Sequence, residues 1–254
     1  MRKDNAMLTS LITLALTPLA ALWLKRVTKL GFLLMMGVSM SACSAVSWKE
    51  EVLLHDGSKI VVSRSQSHGG RREIGQPSPI KEHAITFALP SSNQTITWRD
   101  EFSEEIGHSN FNLLALHILN GIPFIVASPD GCLAYNKWGR PNPPYVFFKY
   151  DGNTWQRIPL SEFPAELKEI NLVINTLAHE TEISSQSPVR AELVKKLNSS
   201  LGQPEFKTIL REPVKRGVEG SSVNCEVLVH YKCGWTGVNS DGTFNKEFMD
   251  RMCR

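Results

Sequence analysis

Three short turn signals, each lying between two apolar segments, constrain the fold of this chain most strongly. Asp56-Gly57, Asn120-Gly121 and Asp151-Gly152 are residue pairs that favour tight hairpin turns. The segments around them are rich in β-branched and aromatic residues, which favour strands. The sequence therefore predicts three β-hairpins, which span residues 48–64, 111–128 and 146–158.

Two more strands are predicted between the first and the second hairpin, at His83–Leu89 and Thr95–Arg99, because apolar and polar residues alternate there. Successive hairpins without long crossover connections favour an antiparallel meander. We predict a β-rich α+β fold in which this meander forms a sandwich, a barrel or part of a propeller. All three arrangements remain open at this point.

The pattern changes after Ser161 and indicates a region that contains helices. The clearest helix is predicted at Pro188–Leu201, which begins with Pro and is followed by Gly202. Asn171–Leu177 and Glu226–Tyr231 are predicted as strands, and a short helix is predicted at the C-terminus. The predicted organisation is a signal segment at 1–42, a β-rich region at 43–160, and an α+β region at 161–254 that packs on it and ends in a Cys-rich tail at 221–254.

Four cysteines follow residue 43, and three of them lie in the last thirty residues of the chain. An even number of cysteines in an exported chain is most simply explained by disulfides, which form in oxidising compartments. We predict two disulfides, at least one of them wholly within the tail, and three pairings are possible. A zinc site is the alternative, although no C-x-x-C pair is present. The candidate cysteines are Cys132, Cys225, Cys233 and Cys253.

An apolar segment near the N-terminus has the composition of an export signal. Lys25, Arg26 and Lys29 precede the apolar run Leu30–Met40, which is followed by Ser41, Ala42 and Cys43. The run is too short to span a bilayer, which needs about 20 apolar residues. The order Met40-Ser41-Ala42-Cys43 resembles the lipobox of bacterial lipoproteins, in which Leu usually stands first. The resemblance implies that the thiol of Cys43 is acylated and that the chain is cut just before it.

A second apolar run, Met7–Leu24, precedes the signal, and one export signal does not need two such runs. One explanation is that translation starts near residues 24–27. The alternative is a transmembrane helix ahead of Lys25.

Across most of the part that follows Cys43, the sequence is similar to hypothetical lipoproteins of proteobacteria, and the run YNKWGRPNPPYVFFKYDG, residues 135–152, carries this resemblance most clearly. This resemblance implies neither a function nor site residues. In lipoproteins of Gram-negative bacteria, Asp after the acylated cysteine signals retention in the inner membrane. By analogy, Ser44 favours the outer membrane, with the protein facing the periplasm.

The charge of the exported part argues against a nucleic-acid partner. Five of the 28 basic residues and one of the 25 acidic residues precede Cys43, which leaves 23 basic and 24 acidic residues and a formal charge of −1. Binding to nucleic acid requires a basic surface that follows the phosphates. The partners that we predict are membrane lipid, through Cys43, and an envelope protein or glycan.

Two segments are candidate binding sites. The segment 135–145 is predicted to be a stiff, Pro-rich loop that presents aromatic rings to a protein or sugar, unless these rings fold back over the sheet. The stretch 65–79 is predicted to be a long loop in which arginines lie near Gly69-Gly70 and bind an anion, unless it is only a solvated connection. The candidate residues are Tyr135, Trp138, Arg140 and Tyr145 in the first segment, and Arg64, Arg71 and Arg72 in the second.

No nucleophile elbow, metalloprotease motif, phosphate loop or dinucleotide motif occurs in the exported part of the sequence. We therefore predict no cofactor, and binding is favoured over catalysis. The leading hypothesis is a lipid-anchored periplasmic protein that binds another envelope component through exposed loops. The alternatives are an envelope hydrolase or small-anion binder that uses the loop between Arg64 and Arg72, and a self-protection or exclusion lipoprotein of a mobile element.

Overall fold

Eight strands form two four-stranded antiparallel sheets in the computed structural model, which describes residues 45–71, 74–75, 77–174 and 176–254. In each sheet the strands follow one another in chain order, so each sheet is a simple meander. The first sheet contains β1 (Val46–Leu53), β2 (Lys59–His68), β3 (Ile80–Ala88) and β4 (Thr95–Asp100). The second contains β5 (Phe111–Leu119), β6 (Ile122–Pro129), β7 (Val146–Tyr150) and β8 (Trp155–Ile158).

The three predicted hairpins and the β-rich antiparallel class are confirmed. The turn at Asn120-Gly121 shows the local cause most clearly, since both residues have positive φ angles, 52° and 76°. This is the backbone of the two-residue turn whose twist matches that of the flanking strands. It joins β5 directly to β6.

The two sheets pack face to face around a shared apolar core, which makes the fold a sandwich. Inward-facing residues of the first sheet, such as Val62 and Ile85, lie in one cluster with Leu116 and Ile125 of the second sheet. All four of these side chains are fully buried. Removing such an aliphatic side chain from water contributes about 1.5–3 kcal/mol, so this core is the main source of stability.

The other face of the second sheet is covered by the chain that follows it. Phe124 and Phe147 of this sheet pack in one cluster with Phe163, Leu167 and Ile209. The second sheet is therefore buried on both faces, which explains the nearly continuous apolar sequence of β5 and β6.

Besides β7 and β8, the described residues after 130 contain four short α-helices, one small hairpin and three 3-10 helices, at Leu160–Glu162, Pro204–Phe206 and Ser222–Asn224. The predicted helix at Pro188–Leu201 is present but shorter, and the predicted strand at Glu226–Tyr231 begins two residues later. The helices are α1 (Gly131–Lys137), α2 (Glu180–Ser184), α3 (Ala191–Asn198) and α4 (Lys246–Met252), and the hairpin pairs β9 (Leu228–Tyr231) with β10 (Gly234–Gly237).

Two predictions about local structure are wrong. The predicted strand at Asn171–Leu177 is not present, because the described residues of this stretch form an irregular segment whose first two N–H groups both donate to the carbonyl of Leu114. The predicted loop at 65–79 begins later, because β2 continues to His68.

Across the ranges that the structure describes, no helix has the length and hydropathy needed to cross a membrane. The lipobox-like segment, Cys43 and the earlier run Met7–Leu24 all lie outside those ranges.

Candidate functional site

Of the four candidate contact residues between 135 and 145, two are buried and two are half-buried, which favours the alternative in which the rings fold back over the sheet. Tyr135 lies in α1 and Tyr145 directly precedes β7, and each side chain is only 3% exposed. The predicted stiff loop is therefore partly a helix. Its two tyrosines lie in the core instead of facing solvent.

Tyr145 is fixed by backbone groups of a segment sixty residues later. Its hydroxyl lies 2.9 Å from the carbonyl oxygen of Glu205 and 3.1 Å from that of Thr208, and it accepts a hydrogen bond from the Leu210 N–H at 3.2 Å. Burial raises the pKa of Tyr145 far above its ordinary value, so the phenol remains neutral. The hydroxyl of Tyr145 thus holds residues 205–210 against the second sheet.

Arg140 holds the C-terminal tail on the sandwich. Its guanidinium donates to the carbonyl oxygens of Glu226 and Cys225, both at 2.7 Å, and to the side-chain oxygen of Asn136 at 3.0 Å. It also lies 5.0 Å above the ring of Tyr135. Because these contacts use most of its donors, Arg140 is a structural residue here.

Trp138 keeps part of its ring at the surface. Its Nε1 donates to the side-chain oxygen of Asn110 at 3.2 Å, and its ring centroid lies 4.5 Å from that of Phe111. The guanidinium of the exposed Arg157 lies 5.3 Å from the ring on its outer side. This half-buried indole and the exposed arginine beside it form a surface that combines an aromatic ring with a positive charge.

The prediction of two disulfides is confirmed. Cys132 at the start of α1 is bonded to Cys225, and Cys233 is bonded to Cys253 within the tail. All four cysteines are therefore used, which excludes the zinc alternative for them. The first bond joins the tail to the sandwich, and the second closes the small hairpin onto α4.

The three arginines of the predicted anion site, Arg64, Arg71 and Arg72, differ in what the structure shows of them. Arg64 lies within β2, is buried and is paired with Glu50, so it is not available to a ligand. The N–H groups of Gly69 and Arg71 donate to the carbonyl oxygens of Pro79 and Gly107. The side chain of Arg71 is exposed, and Arg72 lies outside the described residues.

Sequence reasoning missed a buried pair, His83 and Asp100, at one end of the first sheet. His83 Nε2 lies 3.2 Å from Asp100 Oδ2, and the same carboxylate accepts hydrogen bonds from Asn110 Nδ2 and from the Phe111 N–H. These residues are neighbours only because β3 pairs with β4 in register. If the predicted strand Thr95–Arg99 is extended by one residue to Asp100, the alternation of the two strands places the side chains of His83 and Asp100 on the inner face of the sheet.

His83 and Asp100 line a cleft of about 410 Å³. An imidazole held by a carboxylate can act as a general base when a nucleophile lies within hydrogen-bond distance. In the described part of the chain, no hydrogen bond joins His83 to a serine, threonine or cysteine side chain. Within these ranges the arrangement is a histidine–aspartate pair to which no such side chain is hydrogen-bonded. The cleft is also lined by Ala45, Ser65, Gln66, Ser67, Glu82, Ala84, Arg99, Glu101 and Phe102.

His117 is a second histidine with an unusual environment. Its ring is fully buried, and its Nε2 lies 2.9 Å from the carbonyl oxygen of Glu169. Burial lowers the pKa of His117 to about 4, so the ring is neutral and Nε2 donates. Within the described ranges, no group of three or more His, Cys, Asp or Glu residues could hold a metal ion.

A scan against protein-family models, a search of curated proteins and a search of solved structures give no match to this chain.

Proposed function

We propose that this protein is an exported lipoprotein, in which acylated Cys43 holds the sandwich at a membrane of the bacterial envelope and the sandwich binds another envelope component. The observation that carries this proposal is the pairing of all four later cysteines in two disulfides. Stable disulfides accumulate in oxidising compartments outside the cytoplasm. The charged, apolar and small residues from 25 to 43 supply an export signal of the lipoprotein type.

The start of the fold is consistent with cleavage before Cys43. The strand β1 begins at Val46, so removal of residues 1–42 would take away no residue of either sheet. Three residues of extended chain span at most about 11 Å, so a sandwich anchored at Cys43 would lie close to the lipid surface. Ser44 favours the outer membrane, with the domain in the periplasm.

Binding is favoured over catalysis by the chemistry of the described residues. The pair His83–Asp100 has no hydrogen-bonded nucleophile, and the cysteines are used in disulfides. The contact surface that we propose is the half-buried Trp138 with the exposed Arg157, because an indole beside a guanidinium combines apolar area with charge.

The anchor is tested by metabolic labelling with a clickable fatty acid. Wild type and Cys43→Ala are expressed side by side, and inner and outer membranes are separated. We expect label and outer-membrane attachment in the wild type and neither in the variant. Equal labelling of the two proteins, or an unlabelled wild type, would overturn the proposal.

The contact surface is tested by site-specific photocrosslinking in cells. A photoreactive amino acid is placed at Arg157 and, as a control, at the exposed Lys49 on the first sheet. We expect a discrete crosslinked species from position 157 and none from position 49. The absence of any species at 157 would remove this surface as the binding site.

A further inference from the structure

A cavity of about 300 Å³ lies between the end of β1, the helix α3 and the residues around 170 and 206. Its apolar lining comes from both sheet and helix, and Leu53 in this lining is 42% exposed. Small-molecule sites usually combine such an apolar lining with a few polar groups and measure about 300–1,000 Å³. The apolar lining residues are Leu53, Ile170, Ala191, Val194 and Phe206.

Four charged residues also line the cavity, but the charge of one of them, Glu192, is balanced by a lysine outside the lining. The carboxylate of Glu192 lies 2.9 Å from Nζ of Lys59. This hydrogen bond lowers the pKa of Glu192 and raises that of Lys59, so both groups remain charged and paired. Glu192 is therefore less able to repel an anion in the cavity.

The two lysines of the lining have no carboxylate partner in the described part of the chain. Lys207 Nζ donates to the carbonyl oxygen of Ser199 at 2.7 Å, and Lys195 forms no ion pair there. Ser199 is the C-cap residue of α3, four residues after Lys195. The ammonium group of Lys207 therefore lies at the C-terminal end of α3, and Lys195 in the last turn of this helix lines the same cavity. Within the described residues, Glu169 is the one carboxylate of the lining that forms no ion pair with a lysine.

We propose that this cavity binds a small amphipathic anion, such as a medium-chain carboxylate. The apolar body of the ligand lies against Leu53, Ile170 and Phe206, and its anionic head lies near Lys195 and Lys207. Removal of exposed apolar surface from water supplies the driving force, and the two lysines select the charge. This binding does not depend on the anchor at Cys43.

The test uses an octanoate analogue that carries a photoreactive diazirine on its chain. It is irradiated with the full chain in lipid nanodiscs, and labelled peptides are identified by mass spectrometry. We expect label on peptides that contain Leu53 or residues 191–207, and we expect unlabelled octanoate to compete better than octanol or octylammonium. Label that is spread over other peptides, or equal competition by the three compounds, would overturn the proposal.

Matched variants distinguish the cavity from a general attraction to lysines. Lys195 lines the cavity and Lys196 does not, although the two are neighbours on α3. We expect Lys195→Ala to weaken octanoate competition about fivefold, as for loss of an exposed ion pair, and Lys196→Ala to leave it unchanged. Glu169→Gln should strengthen competition about twofold, because it removes a like charge. Equal effects of the two lysine variants would refute the assignment.

Discussion

Nη1 of Arg64 lies 3.1 Å from Oε2 of Glu50, and both side chains are buried in the interior of the sandwich. The pair also satisfies both backbone polar groups of Val173, since Glu50 accepts from its N–H at 2.7 Å and Arg64 donates to its carbonyl at 2.8 Å. Trp48 Nε1 donates to the same carboxylate at 3.1 Å. The ion pair therefore holds the segment around Val173 against the first sheet.

Arg64→Ala should destabilise the fold strongly, because it leaves the carboxylate of Glu50 buried without its positive partner. Removal of one member of a buried ion pair costs about 3–5 kcal/mol. Arg71→Ala is the control, since Arg71 is exposed and its loss should change stability by less than about 0.5 kcal/mol. Urea unfolding followed by tryptophan fluorescence measures both. Similar midpoints for the two variants would show that Arg64 is not a structural residue.

His117 should make the protein less stable in mild acid. The folded chain keeps His117 neutral down to a pKa of about 4, whereas in the unfolded chain the imidazole takes up its proton near pH 6.5. Between these values the unfolded chain binds more protons, so stability falls as the pH is lowered, by about 3 kcal/mol from this group.

The contribution of His117 is isolated by comparing wild type with His117→Gln, whose amide can still donate to the Glu169 carbonyl. Denaturant unfolding at pH 7.0 and pH 4.5 should show a smaller loss of stability for the variant. Parallel losses in the two proteins would contradict the assignment.

The two disulfides should contribute unequally. The bond between Cys132 and Cys225 closes a separation of 93 residues, and that between Cys233 and Cys253 closes one of 20. The chain-entropy relation gives about 4.6 kcal/mol for the first and about 3.3 kcal/mol for the second. Double Cys→Ser variants of each bond, compared by urea unfolding, should rank in this order. The reverse order would indicate that the small hairpin cannot fold without its own bond.

Tyr145→Phe should destabilise the packing of residues 205–210 against the second sheet. The change removes the hydroxyl that donates to the carbonyl oxygen of Glu205 or Thr208, and it leaves the half-buried Leu210 N–H without its acceptor. The expected cost is about 1–3 kcal/mol. Tyr150→Phe is the control, because the Tyr150 hydroxyl makes a long contact of 3.5 Å with the exposed Gln94. Equal unfolding midpoints for the two variants would contradict the role assigned to Tyr145.

The hairpins could be predicted because their causes are local. A turn pair such as Asn120-Gly121 and the strands beside it lie within about ten residues of each other, so the sequence pattern contains the information. The two disulfides follow from composition, but their pairing depends on which parts of the fold meet.

The structural role of Arg64 could not be predicted in the same way. Its alternation with Val62 places it on the inner face of β2, but a buried arginine needs a partner, and Glu50 lies on another strand. Arg64 and Glu50 become neighbours only once the register of β1 and β2 is known. The burial of Tyr145 likewise depends on residues 205–210, which are distant in sequence.

With the acylation of Cys43 that we propose, the short distance along the chain between Cys43 and β1 would limit the reach of the protein from the membrane. A domain of the 212 residues from Cys43 onward has a radius of gyration of about 17 Å, so none of its surface would lie more than roughly 55 Å from the lipid. A partner that diffuses freely must therefore come to the bilayer to be bound. A partner that is itself anchored in the same leaflet would be found by a search in two dimensions, at an effective concentration set by the membrane and not by the periplasm.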